Sequence, residues 1–288
     1  MILSVGELLV DLITTEPVND LSEAAQLGVQ PGGSPANFAA GCRKLGADVA
    51  LVAAVGNDGF GKMLLQYVNS LGIQSGHIHL LHHHVTSAIV IGSNRQTPEF
   101  IAYRYADCHI PPIAQQQIDD CRVIHSTSFA LSKSPAQYRI LDAMQKASAQ
   151  GKLVSADWNY SPQIWGADND AVAVFEQLMQ YKPLLKLSQD DVERFWGNGI
   201  DIEAARNMVN RYPFTAVCIT CGAAGVWYRT ENDDWQHRAA KPIKVTDPTG
   251  AGDSFWSGFI TSYINNRPME DCIDAAMETA SLKLQAKL

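Results

Sequence analysis

No stretch of this chain approaches the roughly 18–20 consecutive apolar residues that span a bilayer as a helix. The opening Met1-Ile2-Leu3-Ser4-Val5-Gly6-Glu7 lacks the basic start of a signal peptide and reads as a buried strand. A cytoplasmic protein with no membrane partner is the expectation. Positive charge is also short: 22 Lys and Arg against 30 Asp and Glu leave a formal net charge of −8. That argues against nucleic acid as a partner. Any phosphate must then be held by local amides and a metal ion, not by a broad basic field. Six cysteines in 288 residues show no disulfide framework. Cys218-Ile219-Thr220-Cys221 is formally C-x-x-C, but no second pair exists. Residues three apart in a strand face opposite ways, so two small buried thiols are expected rather than a redox or zinc pair. His82-His83-His84 has no accompanying carboxylate or cysteine and reads as a solvated loop. Internal repeats and low-complexity linkers are absent.

What is present is an alternation. Strand-like runs fall at Leu51–Val55, Arg122–His125, Leu153–Asp157, Leu184–Leu187 and Thr215–Thr220. Helical patterns fall near 35–45, 60–71, 135–149, 170–181 and 201–211, and two more close the chain near 251–265 and 269–287. This predicts an α/β fold, a doubly wound, mostly parallel sheet flanked by helices, as one domain over 1–288. Residues 10–30 and 84–105 break the rhythm with β-like stretches at Val10–Thr14, Ser87–Ile91 and Glu99–Tyr105. They predict a small sheet standing off the main one as a lid that excludes water, with two surface hairpins as the alternative.

Two glycine-rich turns draw attention. Asp247-Pro248-Thr249-Gly250-Ala251-Gly252-Asp253 opens a helical pattern, with small residues at its start and a carboxylate in its first turn. Free amides at a helix N-terminus bind anions, and glycine lets a phosphate come close. A phosphate site beside Asp253 suggests phosphoryl transfer to a hydroxyl, with Asp253 taking the proton and staying ionised beside the helix N-terminus; a structural helix cap is the alternative. Gly56-Asn57-Asp58-Gly59-Phe60-Gly61-Lys62 fits G-x-x-x-x-G-K. Met63 follows, however, where a P-loop needs the Ser or Thr that holds Mg²⁺. A tight βα turn with Asp58 capping local amides is expected instead.

Gly32-Gly33-Ser34-Pro35-Ala36-Asn37-Phe38-Ala39, with Gly46 and Gly56 beyond it, resembles the first signature of the ribokinase-like (PfkB) sugar kinases. Asp247–Asp253, continuing to Ser257-Gly258, resembles the second. Val55–Gly61 resembles that family's G-x-D-x-x-G turn, and Thr220-Cys221-Gly222-Ala223-Ala224-Gly225 its T-x-G-x-x-G nucleotide segment. The resemblance covers essentially the whole chain and implies a ribokinase-like fold with a β lid. It implies ATP and Mg²⁺, with a monovalent cation as a further candidate, and a sugar hydroxyl as acceptor. It makes Asp253 the base and the amides of Gly250, Ala251 and Gly252 the anion hole. Gly32 and Gly33 would lay backbone against the sugar. Asn37 and Asp11 would bond its hydroxyls, unless Asn37 caps its helix and Asp11 is a lid-surface charge.

Gly6–Asp11, Glu99–Asp107 and Ala156-Asp157-Trp158-Asn159 with Trp165 resemble bacterial fructokinases. In that reading Arg104 projects from the lid toward the sugar. It would equally suit the carboxylate of 2-keto-3-deoxygluconate, so a kinase for that acid stays open. Asn159, Ser188, Thr220, Gly222 and Gly225 would face the nucleotide, and Asp191 would hold Mg²⁺ through water. Ser161 stands where the family has Arg, and Ser188-Gln189-Asp190-Asp191 where it has N-x-x-E. The last helical pattern runs to Leu288, which predicts an open nucleotide pocket. These departures keep open a third reading, a sugar- or nucleotide-binding regulator without catalysis. Exposed lid edges point to a homodimer through the lid.

Overall fold

The computed structural model describes residues 1–92, 100–167 and 170–287. Strand β1 (Ile2–Val5) is followed by β2 (Leu9–Thr14) and β3 (Leu27–Gly32), then α1 (Ser34–Lys44), β4 (Val49–Gly56) and α2 (Gly59–Ser70). Next come β5 (Ile78–Leu81), β6 (Ala88–Ile91), β7 (Phe100–Tyr103), α3 (Gln115–Asp120), β8 (Val123–Thr127), α4 (Ser128–Leu131) and α5 (Ala136–Ala149). The second half holds β9 (Leu153–Asp157), α6 (Pro162–Trp165), α7 (Ala171–Met179), β10 (Leu184–Ser188), α8 (Gln189–Trp196), α9 (Ile202–Val209) and β11 (Ala216–Thr220). It closes with β12 (Val226–Thr230), β13 (Gln236–Arg238), α10 (Ala251–Tyr263) and α11 (Met269–Leu284).

Nine strands form the main sheet in the order β13-β12-β11-β10-β9-β8-β1-β4-β5. From β11 to β5 every pairing is parallel; β12 and β13 add antiparallel at one edge. The period-2 geometry of a strand explains why these runs are apolar throughout. In β4, Ala50, Val52 and Ala54 enter one core while Val49, Leu51, Ala53 and Val55 enter the other. In β11, Val217 and Ile219 divide from Ala216 and Cys218 in the same way. The chain winds from β1 to β4 on one side and resumes at β8 on the other. In such sheets ligands sit beyond the carboxyl ends of the strands at this reversal.

The small sheet has the order β3-β2-β6-β7. It forms from residues 10–30 and 84–105 as expected, with Glu99 lying outside the described residues. The sequence pattern does not include its return strand β3, the edge strands β5, β12 and β13, or the helices α3, α4, α6 and α8.

Helix α10 is wedged between α1 and α11 by two glycines. A Cβ on Gly41 of α1 would collide with Ser257 of α10. A Cβ on Gly258 would lie 2.8 Å from the Ala275 carbonyl oxygen and 2.9 Å from Ala276 Cα of α11. These are backbone atoms, which cannot swing aside. Gly258→Ala should therefore destabilise the fold by about 1–3 kcal/mol, despite the ~1 kcal/mol of helix propensity that Ala adds. Urea unfolding measures this, and a variant as stable as the parent would contradict the packing described.

Candidate active site

The carboxyl ends of the parallel strands carry the chemistry. Glu7 follows β1, Thr127 ends β8, Asp157 ends β9, Ser188 ends β10 and Thr220 ends β11. The N-termini of α1 and α10 meet at the same edge. Gly250 caps α10 in a left-handed conformation (φ 71°), which glycine adopts without strain. Asp253 lies in the first turn, where amides have no intrahelical acceptor. The Ala251 amide turns back to Pro248 O at 3.3 Å, which leaves the first-turn amides of Gly252 and Asp253 as the ones suited to an anion.

Asp253 is half-buried and gripped from α1. Ser34 Oγ donates to its Oδ1 in a short hydrogen bond, and Asn37 Nδ2 donates to its Oδ2 at 3.0 Å. Its pKa is pushed up to about 6, first by burial and then by Asp157; Ser34, Asn37 and Lys186 act against this. The helix N-terminus alone would have kept it low, but desolvation is the larger effect. Asp11 on β2 is also raised to about 6, by burial and then by the charge of Asp253. The structure thus gathers Asp11, Asn37 and Asp253, which are distant in sequence, into one cluster.

Gly32 and Gly33 border that cluster for a reason beyond a close approach to sugar. A Cβ on Gly32 would collide with the Asp11 carboxylate, and one on Gly33 (φ 106°) with the Glu7 carbonyl oxygen. Glu7 escaped notice in the sequence. It is buried, accepts from the Ser34 amide at 3.1 Å and from Thr127 Oγ1 at 3.2 Å, and burial pushes its pKa up to about 8. Lys186 was missed too. It stands in the middle of β10 and its Nζ donates to both Asp157 oxygens, at 2.9 and 2.8 Å. Burial favours the neutral amine, but Asp157, then Asp191 and Asp253, outweigh it and hold the pKa above its usual value. The Nζ lies 3.1 Å from where a Gly252 Cβ would stand, directly under the Gly250–Asp253 turn. One charged residue inside an apolar run, Leu184-Leu185-Lys186-Leu187 or Met1–Val10, was the available signal in both cases.

The residues expected to face the nucleotide line up along neighbouring strand ends. Asn159 Oδ1 accepts from the Phe129 amide at 3.3 Å. Ser188 and Asp191 cap α8 reciprocally, the Ser188 amide donating to Asp191 Oδ2 at 2.8 Å and the Asp191 amide to Ser188 Oγ at 3.0 Å. Asp191 is buried, and its pKa rises to about 6, chiefly through desolvation. Thr220 Oγ1 donates to Leu187 O at 3.4 Å, and Gly222 (φ 52°) and Gly225 (φ 99°) shape the turn beyond it.

Arg104 does not point freely at a substrate. Its Nε and a terminal nitrogen reach Asp107 Oδ2 at 2.8 and 2.7 Å, it donates to Ser132, and its guanidinium lies over the Phe129 ring. A buried guanidinium needs a counter-charge, and Asp107 supplies it three residues away. The residue borders a cavity of about 430 Å³ with Tyr103, Tyr105, Lys133 and Gln163.

The Gly56–Lys62 turn holds no phosphate cradle. Asp58 fills it, accepting from the Gly61 amide at 2.8 Å and the Thr86 amide at 2.7 Å. His82 meets Asn57, and His84 lies tilted against His109. Among the described residues, no group of three His, Cys, Asp or Glu side chains stands ready to hold a metal by itself, and no helix is long and apolar enough to cross a membrane.

Fold and site together define a phosphotransferase acting on a sugar hydroxyl. Residues 1–288 match the pfkB family of carbohydrate kinases, and the chain belongs to that family. It is 28% identical to an ATP-dependent 6-phosphofructokinase of Thermoanaerobacterium thermosaccharolyticum, over 99% of this chain and 88% of that one. It is 30% identical to fructokinase-2 of Solanum lycopersicum, over 93% and 83%. The solved fructokinase of Halothermothrix orenii superposes with a TM-score of 0.85 at 29% identity, covering 97% of each chain.

Because Glu7 is held neutral to about pH 8, its contribution to stability is complete below its ordinary pKa of about 4.5 and is lost as pH rises through about 8. Melting temperature should therefore fall between about pH 6.5 and 8.5, above the range where Asp11, Asp191 and Asp253 titrate. Glu7→Gln should flatten that fall; identical slopes for both proteins would contradict the assignment.

Proposed function

We propose that this chain transfers the γ-phosphoryl group of ATP to a hydroxyl of fructose, with Asp253 as base. The observation that carries the reading is the Asp253 carboxylate, held by Ser34 and Asn37 with Asp11 alongside, at the N-terminus of α10. An incoming hydroxyl competes for the same carboxylate oxygens. Asp11 and Asn37 then fix its neighbours, one accepting and one donating. Phosphoryl transfer passes through a loose transition state, so positioning and charge neutralisation supply most of the rate. The first-turn amides of α10 receive the phosphoryl oxygens, and Asp253 takes the proton late in transfer.

ATP is the proposed donor, as the name of the phosphofructokinase relative states for that protein. Asn159, Ser188, Thr220, Gly222 and Gly225 form its proposed seat along the ends of β9, β10 and β11. Mg²⁺ fits this donor set. It is commonly held by one or two carboxylates with phosphates and water, and Asp157 and Asp191 lie around Lys186 at the edge of the anion loop. When bound it would neutralise phosphate charge; Asp191, with Oδ2 committed to its helix cap, would hold it through water. The small sheet, residues 10–30 with 84–105, acts as the lid of a single 1–288 domain.

A neutral sugar is favoured over a sugar acid. Arg104, the cation a carboxylate would need, is already paired with Asp107, and Asp11 and Asp253 make the cluster acidic. Purified protein with Mg-ATP should phosphorylate fructose faster than ribose, 2-keto-3-deoxygluconate, tagatose phosphate, fructose 6-phosphate or nucleosides. A faster rate on any of these would overturn the fructose assignment. Asp253→Asn should lower kcat by about 10²–10⁴, and binding of both ligands without turnover in the parent would favour the regulator reading. The rate should fall below about pH 6, where the coupled Asp11 and Asp253 pair gains protons; a flat profile from pH 5 to 8 would exclude Asp253 as base.

A homodimer through the lid is also proposed. Leu27, Val29, Ile101 and Tyr103, alternate residues on the two edge strands, are each at least 41% exposed. Sedimentation should show a dimer that Val29→Lys separates, and a monomeric parent would refute it.

A further inference from the structure

The last helix places a cation beside the reacting groups that neither the nucleotide seat nor the sugar cluster uses. Lys283 lies in the final turn of α11, and its Nζ donates to Asp247 Oδ2 at 3.2 Å. Asp247 is the first residue of the anion-loop segment, and its Oδ1 accepts from the Thr249 amide at 2.9 Å. The stem of Lys283 reaches further in. From the point where a Gly250 Cβ would stand, Lys283 Cε is 3.4 Å away, and Asn37 Nδ2 and Asp253 Oδ2 are each 3.9 Å away. One small space thus faces the lysine, the substrate-side amide and the base together.

The backbone makes this placement durable. The amides of Thr246 and Asp247 both approach Leu284 O, at 2.8 and 3.4 Å, stitching the end of α11 to the start of the loop. That docking has an electrostatic cost. The C-terminus of a helix is its negative pole, and here it is set with the Asp247 carboxylate against a site that must accept phosphoryl oxygens. Lys283 is the cation at that junction. Its charge offsets both the carboxylate and the helix end, and its stem crosses beside Gly250.

We infer that Lys283 is a positioning residue for phosphoryl transfer: its ammonium neutralises Asp247 and the C-terminus of α11, which keeps the Gly250–Asp253 turn competent to bind the transferring phosphoryl group. This rests on the kinase reaction and not on which sugar accepts. Whichever sugar of the panel turns over fastest in the parent serves as substrate, so a failure of the fructose reading leaves this test intact.

The experiment compares the parent with Lys283→Arg, Lys283→Met and Lys283→Ala by steady-state kinetics and thermal melting. Lys283→Met should lower kcat at least tenfold while the KM for sugar changes less than threefold, and Lys283→Arg should keep most of kcat. Added ethylammonium should restore part of the rate in Lys283→Ala, and should not affect the parent. A lysine needed for packing alone would behave otherwise: the melting temperature would fall, and no amine would rescue the rate. Parent-like kcat in Lys283→Met, or a loss of rate in Lys283→Ala that ethylammonium does not reverse, would overturn the inference.

Discussion

A half-buried carboxylate set among other carboxylates is the constraint on which this structure depends. As the proposed base, Asp253 has to be partly shielded from water, yet Asp157 and Asp11 are close enough for their charges to couple with it. Left unbalanced, such a group would simply remain protonated. Three things prevent this: the donors Ser34 and Asn37 on α1, the Lys186 ammonium rising from β10, and the amides of the α10 first turn. Each comes from a different element, so the site exists only when the whole fold is assembled.

That requirement explains features that look merely structural. The close packing of α1, α10 and α11 through Gly41 and Gly258 sets the height of the α10 N-terminus above the sheet. A shift there would move Asp253 relative to Asn37. Glu7, neutral at physiological pH, anchors the Ser34 amide, and so the turn that presents Ser34 to Asp253. A neutral acid suits this place, because another negative charge would push Asp253 further toward protonation. The main sheet contributes rigidity, and the proposed lid role of the smaller one would let the sugar side close.

Much of this was legible in the sequence, and the reasons are physical. Strands such as Val49–Gly56 and Ala216–Thr220 are buried on both faces, so they read as unbroken apolar runs. The glycine turns at Gly32-Gly33 and Gly250–Gly252 carry backbone demands that few other residues meet. The short, half-exposed strands β3, β12 and β13 lack a comparable pattern. Glu7 and Lys186 were hidden because a single charge in an apolar run discloses its partner only in three dimensions. Arg104 shows the converse. Its sequence setting suggested a substrate ligand, but Asp107 lies within one turn of chain and takes its charge.

The most direct test of this balance is the ionisation of Asp253 itself. Difference infrared titration of the parent against Asp253→Asn isolates its carboxyl band. The band should disappear with an apparent pKa near 6 and persist to higher pH in Lys186→Met, which removes the compensating charge. An Asp253 that titrates at or below the ordinary aspartate value of about 3.9, unmoved by the loss of Lys186, would contradict the account.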